Sequence, residues 1–340
     1  MKSSRIYNVF LGLFYILLLG FWYQVFGAHG GTETMARLWF MPLTMIFASF
    51  IAGSTSIGGG AIAFPVLTLV LSISPLIARD FSLMIQSVGM TAASLWILKL
   101  KVPIETRAII YGTIGGSLGM VMGLWWIHGL FSPAYIKMFF VCILFTFGCV
   151  LVIFKKDTGI VSLPKILKSR EKAVLIGFGI LGGIVSSLTG SGLDIFLFSA
   201  LTLYFGICEK VATPTSVILM SINTVLGTSL IYFFGYVDIG AISPLQPQAI
   251  ELWSTSVPIV IIGAPLGAFF ISRRNRGFIV KLLIASIIAQ FVAALLIVPH
   301  DLNLYLFEVM TLAIGFFLFH EIHRTSQIAS PTHEEPIQHV

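Results

Sequence analysis

Charge is what this chain most lacks. Its 340 residues include 20 Lys and Arg and 14 Asp and Glu, 10% in all, against 57% hydrophobic residues and a mean hydropathy of +0.99. That leaves too little polar surface to coat a soluble protein of this size, and apolar runs of about 20 residues recur throughout. Strand-like alternation is missing as well. Long continuous apolar segments, whose backbone groups must be satisfied internally in lipid, favour a helical bundle over a barrel. Cysteine is confined to Cys142, Cys149 and Cys208, with neither metal-ligand spacing nor an even-numbered framework. No metal centre or disulfide scaffold is therefore expected, and the three read as apolar fillers. A thiol role stays open only for Cys142 and Cys149, which share a helix face at i, i+7.

Enzyme signatures are also lacking. Gly190-Ser191-Gly192-Leu193-Asp194 superficially resembles the aspartyl intramembrane proteases, but those need Gly-x-Gly-Asp without an intervening residue and a second intramembrane aspartate. A rhomboid-like serine protease needs a Gly-x-Ser-x-Gly turn and an intramembrane histidine, whereas His128 and His320 lie at span ends. Neither an enzyme nor a cofactor is expected.

What the chain does have is an internal duplication. Ser54-Thr55-Ser56-Ile57-Gly58-Gly59-Gly60 leads into Thr68-Leu69, Ile73, Ala78 and Ser82. In the second half, Ser187-Leu188-Thr189-Gly190-Ser191-Gly192-Leu193-Asp194 leads into Thr202-Leu203, Ile207, Ala212 and Ser216, each the counterpart of its namesake at a constant offset of 134. Further on, Gly115, Leu118 and Gly119 match Gly263, Leu266 and Gly267 at an offset of 148, the excess falling in the linker around Tyr236 to Ile250. Each half holds a glycine-rich break in a long apolar run.

Basic linkers orient the chain. They are Lys99 to Arg107, Lys155 to Lys172 and Arg273 to Arg276, whereas Tyr236 to Glu251 carries no Lys or Arg. With Lys2 inside and each break a hairpin returning to its starting face, Arg37, Arg79 and Lys137 are the exceptions, so 20 less 3 leaves 17 cytoplasmic. The net charge of +6 then reflects topology and contact with anionic lipid, and nucleic acid is not expected as a partner.

The expected architecture is an all-α polytopic membrane protein of two inverted repeats, each a glycine-broken hairpin plus three transmembrane helices, with one extra helix at either end. Its boundaries are 1–37 for an N-terminal helix and outer loop, 38–154 for the first repeat and 155–172 for a basic cytoplasmic linker. The second repeat takes 173–298, a final helix 299–320 and a disordered cytoplasmic tail 321–340. The segment from Tyr7 to Phe26 reads as a retained helix because it outlasts a usual signal core and lacks a clean cleavage site. Each hairpin is either two half-depth arms or two full spans, giving eight spans plus two re-entrant hairpins or as many as twelve crossings. Ser74-Pro75, Ser132-Pro133 and Thr213-Pro214 place a capping hydroxyl before a proline and predict helix starts. Interrupted apolar segments in inverted repeats are the mark of secondary transporters, whose substrate sits near the midplane.

The breaks have the chemistry for such a site. Gly58, Gly59 and Gly60 free the backbone and leave amides unpaired at the start of the following arm, Ala61 to Leu71. The same holds at Gly190 and Gly192, and a helix start of this kind attracts anions. One helix end contributes only about 0.3–1 kcal/mol, so two opposed ends plus neutral hydroxyls are needed. The candidate substrate-binding residues are Ser56, Gly58, Gly59 and Gly60 from the first break and Thr189, Gly190, Ser191 and Gly192 from the second. Gln86, Ser87, Ser221 and Asn223 join them from the helices downstream, where polar groups also act as interhelical glue. Close helix packing accounts equally for Gly115, Gly116, Gly119, Gly179, Gly182 and Gly183. Asp194 stands where the first repeat has Gly60. A carboxylate there costs about 2.5–3.5 kcal/mol facing lipid, so it faces protein or water, either coupling transport to H+ or Na+ or capping its own helix. Arg79 and Lys210 at the membrane faces either attract anions or snorkel to lipid phosphate, and Lys137 and Lys281 are expected to snorkel.

Gly58-Gly59-Gly60 followed by Pro65, Ala78 and Ser82, with its echo Gly190-Ser191-Gly192 followed by Ala212 and Ser216, resembles the sulfite exporter TauE/SafE family of membrane permeases. The resemblance covers about Leu38 to Val298. It implies a multi-pass secondary transporter of small anions, sulfite or organosulfonates; the linker charges add the expectation of a cell-membrane protein with both termini cytoplasmic. An anion channel of the same fold is the alternative. Ser199 in place of Pro65 and Gly-Ser-Gly-Leu-Asp in place of the glycine triplet are departures from the family pattern. The resemblance carries over no residue-level site, so the candidates above rest on the helix-terminus argument.

Overall fold

The structure, a computed structural model, describes residues 2–55, 59–127, 130–153, 162–163, 167–235, 242–273 and 276–328. All regular structure among them is helical. In chain order the helices are α1 (Lys2–Ala28), α2 (Gly31–Arg37), α3 (Phe40–Ser54), α4 (Gly59–Pro65), α5 (Pro75–Lys99), α6 (Thr106–Met122) and α7 (Pro133–Ile153). There follow α8 (Ser169–Thr189), α9 (Leu193–Ser199), α10 (Glu209–Phe234), α11 (Pro247–Ser272), α12 (Arg276–Ile297) and α13 (Leu302–Ile328). Among the described residues eight helices are long and apolar enough to cross a membrane, or nine if α2 and α3, bent by 78°, count as one span.

The duplication extends to individual backbone hydrogen bonds. α4 and α9 both widen into a π-helical turn, Val66–Val70 and Ala200–Tyr204. Leu71 N–H donates to Val66 O and Ile73 N–H to Leu67 O; at the same offset in the second repeat, Phe205 donates to Ala200 and Ile207 to Leu201. Thr68 and Thr202 each turn their hydroxyl back on a carbonyl, Phe64 and Phe198. Each of these arms, from Gly59 to Val70 and from Leu193 to Tyr204, joins 7 residues of α-helix to a π turn of 5. At about 1.5 Å per residue that is roughly 18 Å against a hydrocarbon core of about 30 Å, so these arms are too short to span. Of the two readings of the hairpins, the second arms fit the half-depth one, although α8, at 21 residues, is long enough to span.

Glycine seams join the halves by exchange. α6 of the first repeat lies against α8 of the second, and α11 of the second against α3 of the first, while α5 meets α10 and α7 meets α12. A Cβ on Gly115 or Gly119 would collide with the carbonyls of Ile176 and Ile180, and one on Gly53 or Gly267 with those of Ala264 and Phe50. Helices without a hydrophobic drive between them gain most from such close backbone approach. The packing role expected of Gly115, Gly116, Gly119, Gly179, Gly182 and Gly183 is therefore met.

α1 and α13 flank this body. α1 docks through polar tips: Tyr15 Oη donates to Ile261 O at 3.1 Å and Trp22 Nε1 to Ser254 O at 2.6 Å. α13 packs on α7, with Tyr135 edge-on to Phe307 and Phe147 tilted against Phe319. Two linkers are clamped together, since Glu105 accepts from Arg107 Nε at 2.9 Å and from Leu163 N–H at 2.8 Å, while Arg107 Nη2 donates to Leu163 O.

Two helix starts behave as the sequence predicts: α5 begins at Pro75 with Ser74 as its cap, and α7 begins at Pro133. The third does not. α10 begins at Glu209, capped by Cys208, and Pro214 lies inside it. Cys208 is the repeat counterpart of Ser74, so the repeat register, not the proline, sets this start. α13 runs on to Ile328, so 321–328, expected to be disordered tail, is helical; the residues beyond Ile328 and most of the basic linker, 154–161 and 164–166, lie outside the described residues.

Candidate functional site

α8 ends at Thr189 because Gly190 takes the left-handed conformation, φ 80°, its N–H donating to Ser186 O. Gly192, at φ 150°, then starts α9. Two side chains of α8 tie the break: Ser186 Oγ accepts from Leu193 N–H at 3.0 Å, and Thr189 Oγ1 donates to Ser191 O at 2.7 Å. Asp194 is fully buried in the first turn of α9, and its Oδ1 accepts from Ile195 N–H at 3.0 Å. The first amides of α9 are thus engaged by Ser186 and Asp194. Gly192, not Asp194, is the N-cap residue.

The break rests on α5. A Cβ on Gly190 would clash with Ser82 and lie 2.7 Å from the Arg79 carbonyl oxygen. One turn on, Gln86 Nε2 donates to Gly190 O at 2.6 Å and to Ser82 O at 3.0 Å. Arg79, Ser82 and Gln86 fall at i, i+3 and i+7, on one face of α5. Ser82 Oγ, Gln86 Oε1 and Ser191 Oγ are buried and make no hydrogen bond within the protein. Buried polar atoms normally find partners, so such a cluster needs a reason. Gln86 also meets α3: with Ser49, whose hydroxyl is likewise unpartnered, it lines a cavity of about 10 Å³. That is about the smallest space that holds one water.

The sequence-derived candidates divide accordingly. Gln86, Thr189, Gly190, Ser191, Gly192 and Asp194 meet at the second break. Asn223 joins them from α10, with both amide atoms unpartnered and Oδ1 facing Gly116 beside Leu193. Ser87 and Ser221 belong to a different feature: Ser221 Oγ lies 2.8 Å from Thr91 Oγ1, which donates to Ser87 O, joining α5 to α10. Gly59 and Gly60 open α4, ahead of the expected start at Ala61, while Ser56 and Gly58 lie outside the described residues.

Lys137 departs from the snorkelling expected of it, and so does Arg79 from the snorkelling that is one of its two readings. Arg79 is 1% exposed and paired with Asp80, its Nη2 2.6 Å from Asp80 Oδ1. Lys137 donates to Thr68 O at 2.8 Å, at the π turn of the first break. In both cases an acceptor inside the fold outcompetes the interface. Arg79 and Ser82 are the neighbours of Gly190 that the candidate set omits, and the i, i+3, i+7 spacing to Gln86 is the signal that could have added them.

The family model for sulfite exporter TauE/SafE matches residues 41–296. The chain belongs to that family. It is a multi-pass membrane protein of a transporter family, and the match spans both breaks and both glycine seams. Comparison with curated proteins finds no match.

Proposed function

We propose that this TauE/SafE protein is a secondary transporter of small anions, most simply sulfite or an organosulfonate, and that the anion binds where the second break meets α5. The observation that carries this reading is the pair of buried, unpartnered hydroxyls of Ser82 and Ser191 at Gly190, within a family named for sulfite export. The Ser82 and Ser191 hydroxyls, held on and beside rigid helices, can donate to an oxyanion with little reorganisation, while Gln86 Nε2 is already engaged in fixing the break to α5. The family match and the recurrence of both breaks support placing the site at the midplane between two repeats inverted in the membrane. Each repeat then holds a hairpin and three crossings, and both termini face the cytoplasm of a cell membrane.

Export needs no coupling ion, because each negative charge moved out of a negative interior gains about 2.3 kcal/mol per 100 mV. Asp194, buried beside the break, is the candidate site for H+ or Na+ if the protein also works as an importer or exchanger. The test is flux of radiolabelled sulfite and sulfoacetate into proteoliposomes at pH 6 and pH 8, with and without a Na+ gradient, for the wild type and Asp194→Asn. Saturable flux of either anion supports the transporter reading. Loss of the pH or Na+ dependence in the variant assigns coupling to Asp194. No flux of either anion under any gradient removes the organosulfur assignment, and conductance linear in concentration replaces the carrier with a channel.

A further inference from the structure

Arg79 is a full cation 1% exposed inside α5, and its hydrogen bonding is lopsided. Nε and Nη2 both donate to one oxygen of Asp80, Oδ1, at 2.9 and 2.6 Å. The other oxygen, Oδ2, accepts from Gln246 N–H at 3.1 Å, tying the loop before α11 to the pair. Among the described residues Nη1 has no acceptor. A purely structural Arg–Asp pair gains most when the guanidinium fork meets both carboxylate oxygens, and here one of the two is given to the backbone. A buried guanidinium with an idle nitrogen is costly to keep, so its retention calls for a use.

We propose that Arg79 is the anion-recognising residue of the site described above, an assignment that rests on the transport reading. The substrate class is a small oxyanion with several oxygens on one centre, as in sulfite and sulfonates. One oxygen accepts from Arg79 Nη1, and the Ser82 and Ser191 hydroxyls donate to others. Ser82 lies one turn from Arg79 on the same face of α5, against Gly190. The charge is supplied from one repeat only: in the repeat register Thr213 stands where Arg79 stands, and its buried hydroxyl is also unpartnered. Asp80 holds the guanidinium and competes with the substrate for it. It keeps the empty site neutral and the affinity low enough for release.

This arrangement predicts opposite effects from the two members of the pair, which a structural role alone does not. The probes are sodium sulfite and sodium sulfoacetate, with sodium gluconate as control. Binding is measured on purified full-length protein by calorimetry and by anion-dependent shift of the melting temperature. The neutral double variant Arg79→Gln/Asp80→Asn leaves no buried charge unpaired. It should fold like the wild type and bind sulfite roughly 10- to 100-fold more weakly, the loss of one charge-assisted contact. Asp80→Asn should bind roughly tenfold more tightly, with a larger melting shift on adding sulfite. Arg79→Lys keeps the charge and loses the fork, so its affinity should fall between those of the wild type and the double variant.

If the wild type binds and the folded double variant binds equally well, or Asp80→Asn binds no tighter, the assignment of Arg79 is wrong and the transport reading stands. If the wild type binds neither probe, the organosulfur assignment and that of Arg79 fall together. Should the double variant fail to fold, the opposed shifts of Arg79→Lys and Asp80→Asn decide the matter on their own.

Discussion

Replacing Gly190 by alanine adds one methyl group at the point where the second break meets α5. Three costs follow. At φ 80° a residue with a Cβ loses about 1–2 kcal/mol to the left-handed conformation. The new Cβ would clash with Ser82 and stand 2.7 Å from the Arg79 carbonyl oxygen, and forcing apart a packed contact of this kind typically costs about 1–3 kcal/mol. Separating the helices also strains the Gln86 Nε2 to Gly190 O bond of 2.6 Å, worth about 0.5–1.5 kcal/mol. Together these give a loss of roughly 3–6 kcal/mol, a large share of any protein's stability. Gly177, on the same helix α8, is the control, because a Cβ there meets nothing within 4 Å. Gly177→Ala should be neutral or stabilising by up to about 1 kcal/mol, since glycine weakens a helix interior. The assay is thermal unfolding of both variants in detergent, read by tryptophan fluorescence and by the fraction that stays monodisperse. Equal melting temperatures for the two variants would refute the close approach of the second break to α5, and with it the site.

Three further outcomes follow from the same contacts. Gln86→Leu removes the bonds to Gly190 O and Ser82 O and should lower stability by about 1–3 kcal/mol and abolish saturable anion flux, whereas Ser87→Ala, away from the break, should keep flux near the wild-type rate. Lys137→Met deletes the bond to Thr68 O at the π turn of the first break; a loss of about 1 kcal/mol is expected in thermal unfolding, with anion affinity unchanged. Glu105→Ala removes the acceptor of Arg107 Nε and of the Leu163 N–H, so limited proteolysis between α7 and α8 should speed up several-fold, while the neighbouring Lys101→Ala should leave it unchanged.

Much of this protein is set by sequence alone. The scarcity of charge required a membrane protein of helices, because in lipid the backbone must satisfy itself. The constant offset between the halves located both breaks, and the recurring bonds Leu71 to Val66 and Phe205 to Ala200 are local enough for that register to determine them. Gly190 and Gly192 were legible as places where the chain departs from helix, since only glycine adopts those angles cheaply. The start of α10 was misread because a local proline signal lost to the register of the duplicated unit. The fate of Arg79 and Lys137 was not legible, since a basic residue near a helix end snorkels unless some acceptor within the fold lies closer. Which face of α5 meets which break was also beyond the sequence. Gln86 and Gly190 are 104 residues apart, and their bond exists because glycine seams bring α6 onto α8 and α11 onto α3, carrying the second break to the first repeat's central helix. Local sequence determines where the backbone bends because bending is a local cost, whereas tertiary structure decides what the bend touches, because that depends on close packing summed over the whole bundle.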